Sequence, residues 1–347
     1  SLPPTLPPTL PPTQTSLPPT LPPTQTNLPA TQLTPAETMV QPTITVVKID
    51  ITNTRNSLAR LGSETFNVLE FQREELSDLQ NGCDTSDGQY CFSVFGNSSG
   101  TDGAHGTSTG FRFGAPIGDY VSYGASISYT NSQISKAFND SSSKYGFGAY
   151  VDFHQPKDSR QWFVRPSISY SKYDTKIDRG YESNTEITNG KAEIKGVSET
   201  IEIGERFSYD DKQLSVSSGI QHSKISRSAY SETNATLPVS YNEVDFDDTA
   251  AFVRGSITSA ITTSVKLVIN AELDRKIGGS KPVFQAEGNY IGSVENKAPI
   301  NKTRESLSAG FIYSPTKQIS LSLIPTLGQS ALGEKHWSTN LNINYNF

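Results

Sequence analysis

A period-two alternation of apolar and polar side chains runs through most of this chain, and it is cleanest at the C-terminus. From Thr339 onward, Leu341, Ile343, Tyr345 and Phe347 occupy odd positions, while asparagines occupy the even ones. Because successive side chains of a β-strand point to opposite faces, this segment predicts a strand with one apolar and one polar face. The strand ends on an aromatic residue.

The alternation recurs in earlier segments, where one face is apolar and the other is Ser, Gly, Asn or charged. In segment 144–153, for example, aromatic and aliphatic residues oppose glycines and an aspartate. Twelve strands are predicted in all, over 89–97, 107–115, 119–133, 144–153, 161–173, 191–209, 213–229, 246–258, 264–277, 303–314, 318–329 and 336–347.

The links between these segments alternate in length. Short ones lie at 116–118, 154–160, 209–212, 259–263 and 315–317. Longer ones lie at 98–106, 134–143, 174–190, 230–245 and 278–302. Short turns on one side and long loops on the other are typical of outer-membrane barrels, and several segments exceed the roughly 9–11 residues that cross a bilayer. The pattern predicts an all-β transmembrane barrel, with twelve antiparallel strands in up-and-down order.

One predicted strand carries an exception. If Ile201, Ile203 and Phe207 face lipid, then Glu205 does so too, which is costly near the middle of a bilayer. We expect a bulge, a register different from the predicted one, or a position near the membrane interface.

The N-terminal 42 residues are of low complexity, with Leu-Pro-Pro-Thr recurring from Leu2 to Thr24 and Glu37 as the only charged residue. Proline fixes φ and removes a hydrogen-bond donor, so this stretch predicts polyproline II structure. We interpret it as a semi-rigid spacer; the alternative is a ligand for proline-binding modules.

A single helix is predicted after a short extended run at 43–51. Apolar residues recur at three-to-four spacing from about Thr54 to near Gly82, among many charges. The helix is too charged to face lipid, and Gly62 is a point where it could break. The plain alternative is an amphipathic helix packed on a sheet.

Composition excludes some classes of function. The net charge of −6 offers no basic surface for nucleic acid. The sequence contains no run of about 18 apolar residues, so it predicts no transmembrane helix. Barrel strands are not detected by this criterion, because half of their side chains face a polar lumen. The chain has no recognisable signal peptide and begins without Met, so we expect it to be the C-terminal part of a larger precursor.

No motif for catalysis, metal or cofactor binding stands out. Residues 106–110 match the Gly-x-Ser-x-Gly pattern of a nucleophile elbow, but that motif requires a strand-to-helix turn. The four histidines fall in separate hairpins without metal-ligand spacing. We therefore expect no enzyme activity, no metal and no cofactor.

A Pro/Thr spacer, one charged helix, twelve barrel strands and a terminal aromatic residue, in that order, resemble the C-terminal translocator of monomeric autotransporters (type V secretion). The resemblance implies three parts: residues 1–42 as the spacer at the end of a passenger, 43–82 as an extended segment plus a pore-threading helix, and 83–347 as the barrel. Asn342 departs from the common pattern, in which a Gly is often found.

The resemblance also implies partners and a location. Leu341, Ile343, Tyr345 and Phe347 would form the signal read by the barrel-assembly machinery, and periplasmic chaperones would accompany the chain to the Gram-negative outer membrane. There it would act as a monomer among outer-membrane lipids, with its own passenger on the cell surface. Some relatives cut their passenger at an asparagine, but no Asn-Asn pair lies near the helix.

Charges predicted to face the lumen have both signs, and we expect them to pair with charges on the helix. The helix residues are Arg55, Arg60, Glu64, Glu70 and Glu74. The wall residues are Arg112, Asp152, Arg165, Glu202, Arg206, Arg254, Lys266, Glu272 and Asp274. Such pairs would hold the helix as a plug; the alternative is that the charges line an open, water-filled channel.

Cys83 and Cys91 are the only cysteines, in the link between helix and first strand. In an oxidising periplasm, two cysteines closing so short a loop are expected to form a disulfide. The bond would tie the base of the helix to the barrel wall.

The predicted function is export and anchoring of a passenger by an outer-membrane barrel. Three alternatives remain open at this point: a porin-like channel, an outer-membrane barrel enzyme with catalytic residues in its outer loops, and a soluble β-sandwich adhesin on a Pro/Thr stalk.

Overall fold

The computed structural model describes residues 48–83, 85, 88–101, 103–131, 135–138, 144–156, 158–180 and 182–347. The spacer predicted at 1–42 and most of the extended run predicted at 43–51 lie outside these described residues. Within them, the chain forms one α-helix and sixteen β-strands.

Twelve of these strands form a closed antiparallel barrel, which confirms the predicted fold. Around the barrel they run in the order β1-β16-β15-β14-β11-β10-β7-β6-β5-β4-β3-β2. Their bounds are β1 Cys91–Gly100, β2 His105–Ile117, β3 Val121–Asn131, β4 Lys144–His154, β5 Arg160–Asp178, β6 Asn189–Tyr209, β7 Lys212–Arg227, β10 Val244–Ala260, β11 Val265–Gly278, β14 Thr303–Tyr313, β15 Ile319–Gln329 and β16 Lys335–Asn346.

The barrel closes where its first strand pairs with its last. The ladder runs from Cys91 opposite Asn346 to Gly100 opposite Trp337. Beyond it, Tyr90 and Phe347 exchange two backbone hydrogen bonds of 3.0 Å. In hydrocarbon an unpaired strand edge would leave its peptide groups without partners, and this closure removes both edges.

The outer wall is apolar between two rings of aromatic side chains. The ring near the short turns includes Tyr90, Phe113, Phe153, Trp162, Tyr313 and Phe347, and the ring near the long loops includes Tyr129, Tyr145, Tyr170 and Trp337. Aliphatic residues such as Ile127, Ile203 and Leu323 lie between the rings and are 39–57% exposed. An apolar band flanked by aromatic girdles is the outer surface of a transmembrane barrel.

Four inward-facing aromatic rings each lie over a glycine directly opposite on the neighbouring strand. The pairs are Phe95 over Gly110, Tyr150 over Gly124, Phe163 over Gly204 and Phe252 over Gly219. Guanidinium groups lie over the same rings, at 3.9 Å for Arg112 on Phe95, 5.2 Å for Arg165 on Tyr150, 4.3 Å for Arg206 on Phe163 and 4.1 Å for Arg254 on Phe252. The glycines leave room for the rings, so the lumen wall is itself packed in layers.

Helix α1 spans Ile51–Leu79. It begins earlier than predicted because the side chain of Asp50 caps it, accepting a hydrogen bond of 3.0 Å from the Asn53 N–H. It runs unbroken through Gly62, where a Cβ would lie 2.6 Å from Asn296 Nδ2 and 2.9 Å from Phe284. The glycine therefore allows close approach, rather than the break considered from the sequence. No helix in the described part of the chain is both long and apolar enough to cross a membrane.

Two long loops contain a small second sheet that the sequence did not predict. It consists of β8 Tyr230–Ser231, β9 Val239–Tyr241, β12 Val283–Gly288 and β13 Gly292–Lys297, in the order β13-β12-β9-β8. We call it the cap sheet. Its apolar side chains belong to the same buried cluster as Leu58 and Leu61 of α1. The strands are too short to show periodicity, and the helix surface supplies the core that they lack.

Glu205 lies on β6 close to the short turn at 210–211, with the exposed Trp162 and Val216 as its cross-strand neighbours. Its carboxylate accepts a hydrogen bond of 2.7 Å from Arg160, which is itself well exposed. Of the three explanations considered from the sequence, the position near the interface agrees with this placement.

A glycine beneath an inward ring should be intolerant of a methyl group. In Gly219→Ala the Cβ would lie 2.3 Å from the Ile201 carbonyl oxygen and 2.5 Å from the Phe252 ring. We expect urea unfolding in detergent to show a loss of about 1–3 kcal/mol, the usual range for overpacking. Gly255→Ala, on the neighbouring strand with nothing within 4 Å, is the matched control and should change little. Equal losses for the two variants would contradict this packing.

Candidate functional site in the barrel lumen

The C-terminal half of α1 lies inside the barrel against strands rich in small residues. The Leu79 carbonyl accepts a hydrogen bond of 2.5 Å from the Ser126 hydroxyl, and the Leu76 carbonyl accepts one of 2.7 Å from Ser169. A Cβ at Gly148 would lie 2.1 Å from the Leu79 carbonyl oxygen. The small side chains of β3, β4 and β5 thus let the helix backbone approach the wall and satisfy its last carbonyls.

Hydroxyl groups of the wall also contact the carboxylate of Glu75, a residue that is 5% exposed. Thr130 donates a hydrogen bond to its Oε1, and the Ser128 hydroxyl lies 3.4 Å from the same atom. Just beyond the helix, Gln80 donates to the Ser198 carbonyl at 2.7 Å and accepts from the Thr200 hydroxyl at 2.6 Å. The helix is therefore fixed in rotation as well as in height.

The N-terminal half of α1 is held by long loops rather than by barrel strands. Asp50 donates its backbone N–H to the Asn184 carbonyl at 2.8 Å, and Asn53 donates its side-chain amide to Ser183 at 2.8 Å. On the cap-sheet side, Arg55 donates to the Ile291 carbonyl at 2.7 Å, and Asn296 donates to the Ala59 carbonyl at 2.5 Å. The helix start consequently lies at the long-loop end of the barrel.

Backbone N–H groups in these loops lower the pKa of one carboxylate, that of Glu186. Burial alone would raise the pKa of Glu186, but N–H groups of Thr236 and Leu237 donate to it at 2.8 and 3.0 Å and hold its pKa below the usual range. The contact thus stabilises the fold above the ordinary glutamate pKa and is lost as the pH falls through the lowered value.

The helix charges predicted to meet the wall mostly find partners elsewhere. Arg60 pairs with Glu182 of a long loop and lies 3.9 Å from Glu64. Glu64 accepts hydrogen bonds from Ser135 at 2.8 Å and from the Ala137 N–H at 2.9 Å. Glu70 pairs within the helix with Arg73 at 3.0 Å, and it also accepts the Ala331 N–H at 2.9 Å.

The wall charges likewise pair with one another. Arg165 and Arg206 share the Asp152 carboxylate, at 2.6 and 3.4 Å. Lys266 faces the lumen side at the short-turn end of β11, where it is exposed, and no ion pair joins it to another described residue. Neighbouring strands place opposite charges at the same level along the barrel axis. These wall charges therefore lie closer to each other than to charges on the helix.

Arg112 and Asp78 form the ion pair that joins the helix to a barrel strand among the described residues. Their charged groups are 3.3 Å apart, and both side chains are 10% exposed or less. Arg112 also donates to Asn342 Oδ1 at 2.7 Å and to the Asp78 carbonyl at 3.2 Å. Sequence reasoning placed Arg112 in the lumen but missed Asp78, whose position on the helix face was not apparent from periodicity.

The helix does not fill the lumen evenly. A polar cavity of about 510 Å³ remains between it and the far wall, lined among others by Glu74, Asp78, Glu272, Asp274 and Arg304. Charged groups of both signs and this volume allow the cavity to hold water.

The segment after the helix is tied to the wall by a disulfide between Cys83 and Cys91, whose Cα atoms are 5.8 Å apart. The Tyr150 hydroxyl donates to the Cys83 carbonyl at 3.1 Å and accepts its N–H at 3.2 Å. Cys91 is the first residue of β1, so these contacts lie beside the closing seam.

Three of the predicted signal residues, Leu341, Ile343 and Tyr345, lie on the outer face of β16, and Phe347 directly follows that strand. Leu341, Ile343, Tyr345 and Phe347 are 44–56% exposed, and the rings of Tyr345 and Phe347 stack at 5.6 Å. Phe347 also stacks on Tyr90 at 5.8 Å, next to the seam. They form a continuous apolar stripe on the final strand.

No cluster of three or more potential metal ligands occurs among the described His, Cys, Asp and Glu residues. Residues 106–110, which match the nucleophile-elbow pattern, lie within strand β2. The strand-to-helix turn that the motif requires is absent at that place.

Breaking the helix–wall ion pair should destabilise the protein. In Arg112→Gln the Asp78 carboxylate stays buried without its cation, and we expect a loss of about 3 kcal/mol in urea unfolding. The double variant Arg112→Gln/Asp78→Asn should recover much of that loss. Arg160→Gln, which breaks an exposed pair, is the control and should cost less than about 1 kcal/mol. A similar loss for Arg112→Gln and Arg160→Gln would contradict a structural role for the buried pair.

Comparison with known structures identifies similar barrels. The translocator domain of autotransporter NalP from Neisseria meningitidis matches with a TM-score of 0.64 and 13% identity, over 83% of this chain and 99% of that one. The transport unit of autotransporter AIDA-I from Escherichia coli matches with a TM-score of 0.50 and 12% identity, over 85% and 99%. The beta domain of the Bordetella autotransporter BrkA gives 0.50 and 14%, over 75% and 99%.

At these identities the likeness concerns the fold. No curated protein sequence matches the chain. A sequence model of one family does match: the autotransporter beta-domain model covers residues 88–323, which contain all or part of every barrel strand except β16. The chain therefore belongs to the autotransporter beta-domain family, as an outer-membrane translocator that exports its own passenger.

Proposed function

We propose that this translocator displays its passenger on the cell surface and then keeps the passenger's C-terminal end anchored in the lumen. The observation that carries the proposal is the direction of α1. Its first residues are bonded to the long loops, while its last carbonyls are bonded to Ser126 and Ser169 inside the barrel. In outer-membrane barrels the long loops are extracellular, so the chain ahead of Lys48 would leave the pore on the outside.

This direction suits the domain boundaries expected from the sequence. Residues 1–42 would serve as the surface-exposed spacer at the end of the passenger, 43–82 as the pore-threading segment and 83–347 as the barrel. The strands of a single chain close the barrel and supply the contacts that hold α1, which supports action as a monomer. Export of this kind requires binding and threading of the chain, and we propose that the domain itself performs no catalytic turnover.

Assembly would depend on the final strand. The stripe of Leu341, Ile343, Tyr345 and Phe347 is apolar and lies beside the seam where β16 pairs with β1. These properties support recognition by the barrel-assembly machinery and shielding by periplasmic chaperones before insertion. The Cys83–Cys91 disulfide would then hold the base of the helix beside the same seam.

Surface display can be tested in intact cells. An epitope inserted directly ahead of Lys48 should be removed by a protease added outside the cells. The same epitope inserted at the short turn of Asp210 and Asp211 should stay protected until the cells are opened, because that turn lies at the opposite end of the barrel. Protection of the first epitope together with cleavage of the second would reverse the proposed orientation.

Anchoring by a lumen helix also predicts the electrical behaviour of the barrel. In planar bilayers the intact protein should conduct weakly, because α1 occupies much of the lumen, and deletion of residues 1–80 should raise the conductance several-fold. Deletion of 1–42, which leaves α1 in place, is the control and should not change it. Equal conductance with and without the helix would favour the porin-like alternative.

A further inference from the structure

The cap sheet extends from the barrel wall to α1 at the long-loop end of the lumen. In the order β13-β12-β9-β8, the edge strand β8 lies at the wall, where Gly190 of β6 leaves room for the Tyr230 ring. The guanidinium of Arg227 on β7 lies 4.9 Å from the centre of the same ring. The other edge strand, β13, lies against the helix, since Asn296 donates to the Ala59 carbonyl at 2.5 Å. The sheet therefore bridges the wall and the helix.

On α1, the contacts with the cap sheet lie on one face. Arg55 donates to the Ile291 carbonyl at 2.7 Å, and Ala59 accepts the bond from β13. At Gly62 an added Cβ would lie 2.9 Å from the Phe284 ring, so the absence of a side chain lets the cap approach this closely. The three helix positions follow the spacing i, i+4 and i+7, which places residues on one side of a helix. We call Arg55, Ala59 and Gly62 the docking face.

The docking face exists only when this segment is helical. In a helix Arg55 and Gly62 are about 10 Å apart along the axis, because each residue rises about 1.5 Å. In an extended chain they would be about 23 Å apart and would point to opposite sides. A passenger chain in extended conformation therefore presents no such face to the cap sheet.

The cap sheet has no complete core of its own. Its strands have between two and six residues, and sheets of such short strands need packing against another element. The buried side chains of Val239, Phe284 and Val294 belong to the same apolar cluster as Leu58 and Leu61 of α1. Without the helix these side chains would be exposed to water, so folding of the cap sheet depends on the presence of α1.

An apolar layer separates the polar part of the lumen from the outside. The polar cavity of about 510 Å³ has Arg73 as its first helix residue, which lies about 16 Å beyond Gly62 along the helix axis. Between these two levels, α1 buries Phe66, Val68 and Leu69 in the apolar cluster that the cap sheet shares. Apolar constrictions exclude water and ions. The cap sheet thus completes the layer that closes the cavity at its outer end.

We propose that the cap sheet folds onto the docking face once α1 is seated, and that this folding closes the outer mouth of the pore. The mouth is open while the passenger passes, and closure follows from the arrival of the helix. The proposal rests on the proposed export and adds a closing step to it. Gly62 is in this view a positioning residue, because it sets the level at which the cap sheet can close on α1.

Gly62→Leu tests the docking face in the whole protein, folded in detergent. Leucine favours a helix more than glycine does, so a loosened cap sheet would not reflect a weaker helix. Hydrogen exchange followed by mass spectrometry should show the amides of β9, β12 and β13 exchanging about tenfold faster or more, while those of β15 exchange as in the parent. The control Ser63→Leu adds the same side chain at the neighbouring exposed position and should leave exchange unchanged.

Phe284→Ala tests the same contact from the cap sheet without altering α1. Phe284 is 0% exposed, and its loss should also speed exchange in the cap sheet. The control Tyr290→Ala removes a ring that is 85% exposed in the same hairpin and should not. In planar bilayers, Gly62→Leu and Phe284→Ala should each conduct about twofold or more better than their controls, because the apolar layer is breached. Heat-modifiable migration verifies that every barrel is folded.

Two results would overturn the proposal. Unchanged exchange in Gly62→Leu and Phe284→Ala, or equal changes in their controls, would contradict folding of the cap sheet onto the helix. Faster exchange without higher conductance would contradict closure of the pore.

An epitope ahead of Lys48 distinguishes this proposal from surface display itself. It should stay accessible outside the cell in every variant, because closure follows export. Its loss in Gly62→Leu alone would overturn this order of events. Failure of surface display would instead affect the parent and all variants alike, so the two proposals fail separately.

Discussion

Hydrogen bonding between the first and last barrel strands is the interaction on which the rest of the structure depends. The outer surface faces hydrocarbon, where an unpaired peptide group has no water to bind, so the sheet is stable there only as a closed ring. Pairing of β1 with β16 closes it and fixes the width of the lumen. That width in turn determines that a single helix enters and that it rests on one side, where Ser126, Gly148 and Ser169 leave room for its backbone.

The barrel could be predicted from sequence because the side chains of each strand show which of its faces is apolar and which is polar. Alternation assigns one face to lipid and the other to the lumen, and the positions of all twelve barrel strands were recovered in this way. The cap sheet could not be predicted. Its strands have two to six residues, and they owe their burial to Leu58, Leu61 and Gly62 on a helix more than 160 residues away along the chain.

The lumen shows where sequence reasoning reaches its limit. The alternation of residues along a strand identifies the side chains that point inward, as for Arg112, Arg165 and Arg206. It gives neither their position along the barrel axis nor the residues with which they pair. Height depends on the stagger between strands, which brings Asp152 to both Arg165 and Arg206 and leaves little for the helix to bind. Asp78 was missed for a related reason, since the rotation of α1 is fixed by hydroxyl groups on two strands that are far apart in the sequence, β3 and β5.

The distribution of contacts along α1 has a mechanical consequence. Tension applied to the chain ahead of Asp50 reaches the loop bonds at Asn184, Ser183 and Ile291 before it reaches any barrel strand. The loops would stretch and yield first, while the buried pair of Asp78 and Arg112 and the disulfide below it carry the remaining load. The loops thus take up the first part of an applied force, and tension on the chain ahead of α1 does not directly strain the seam between β1 and β16.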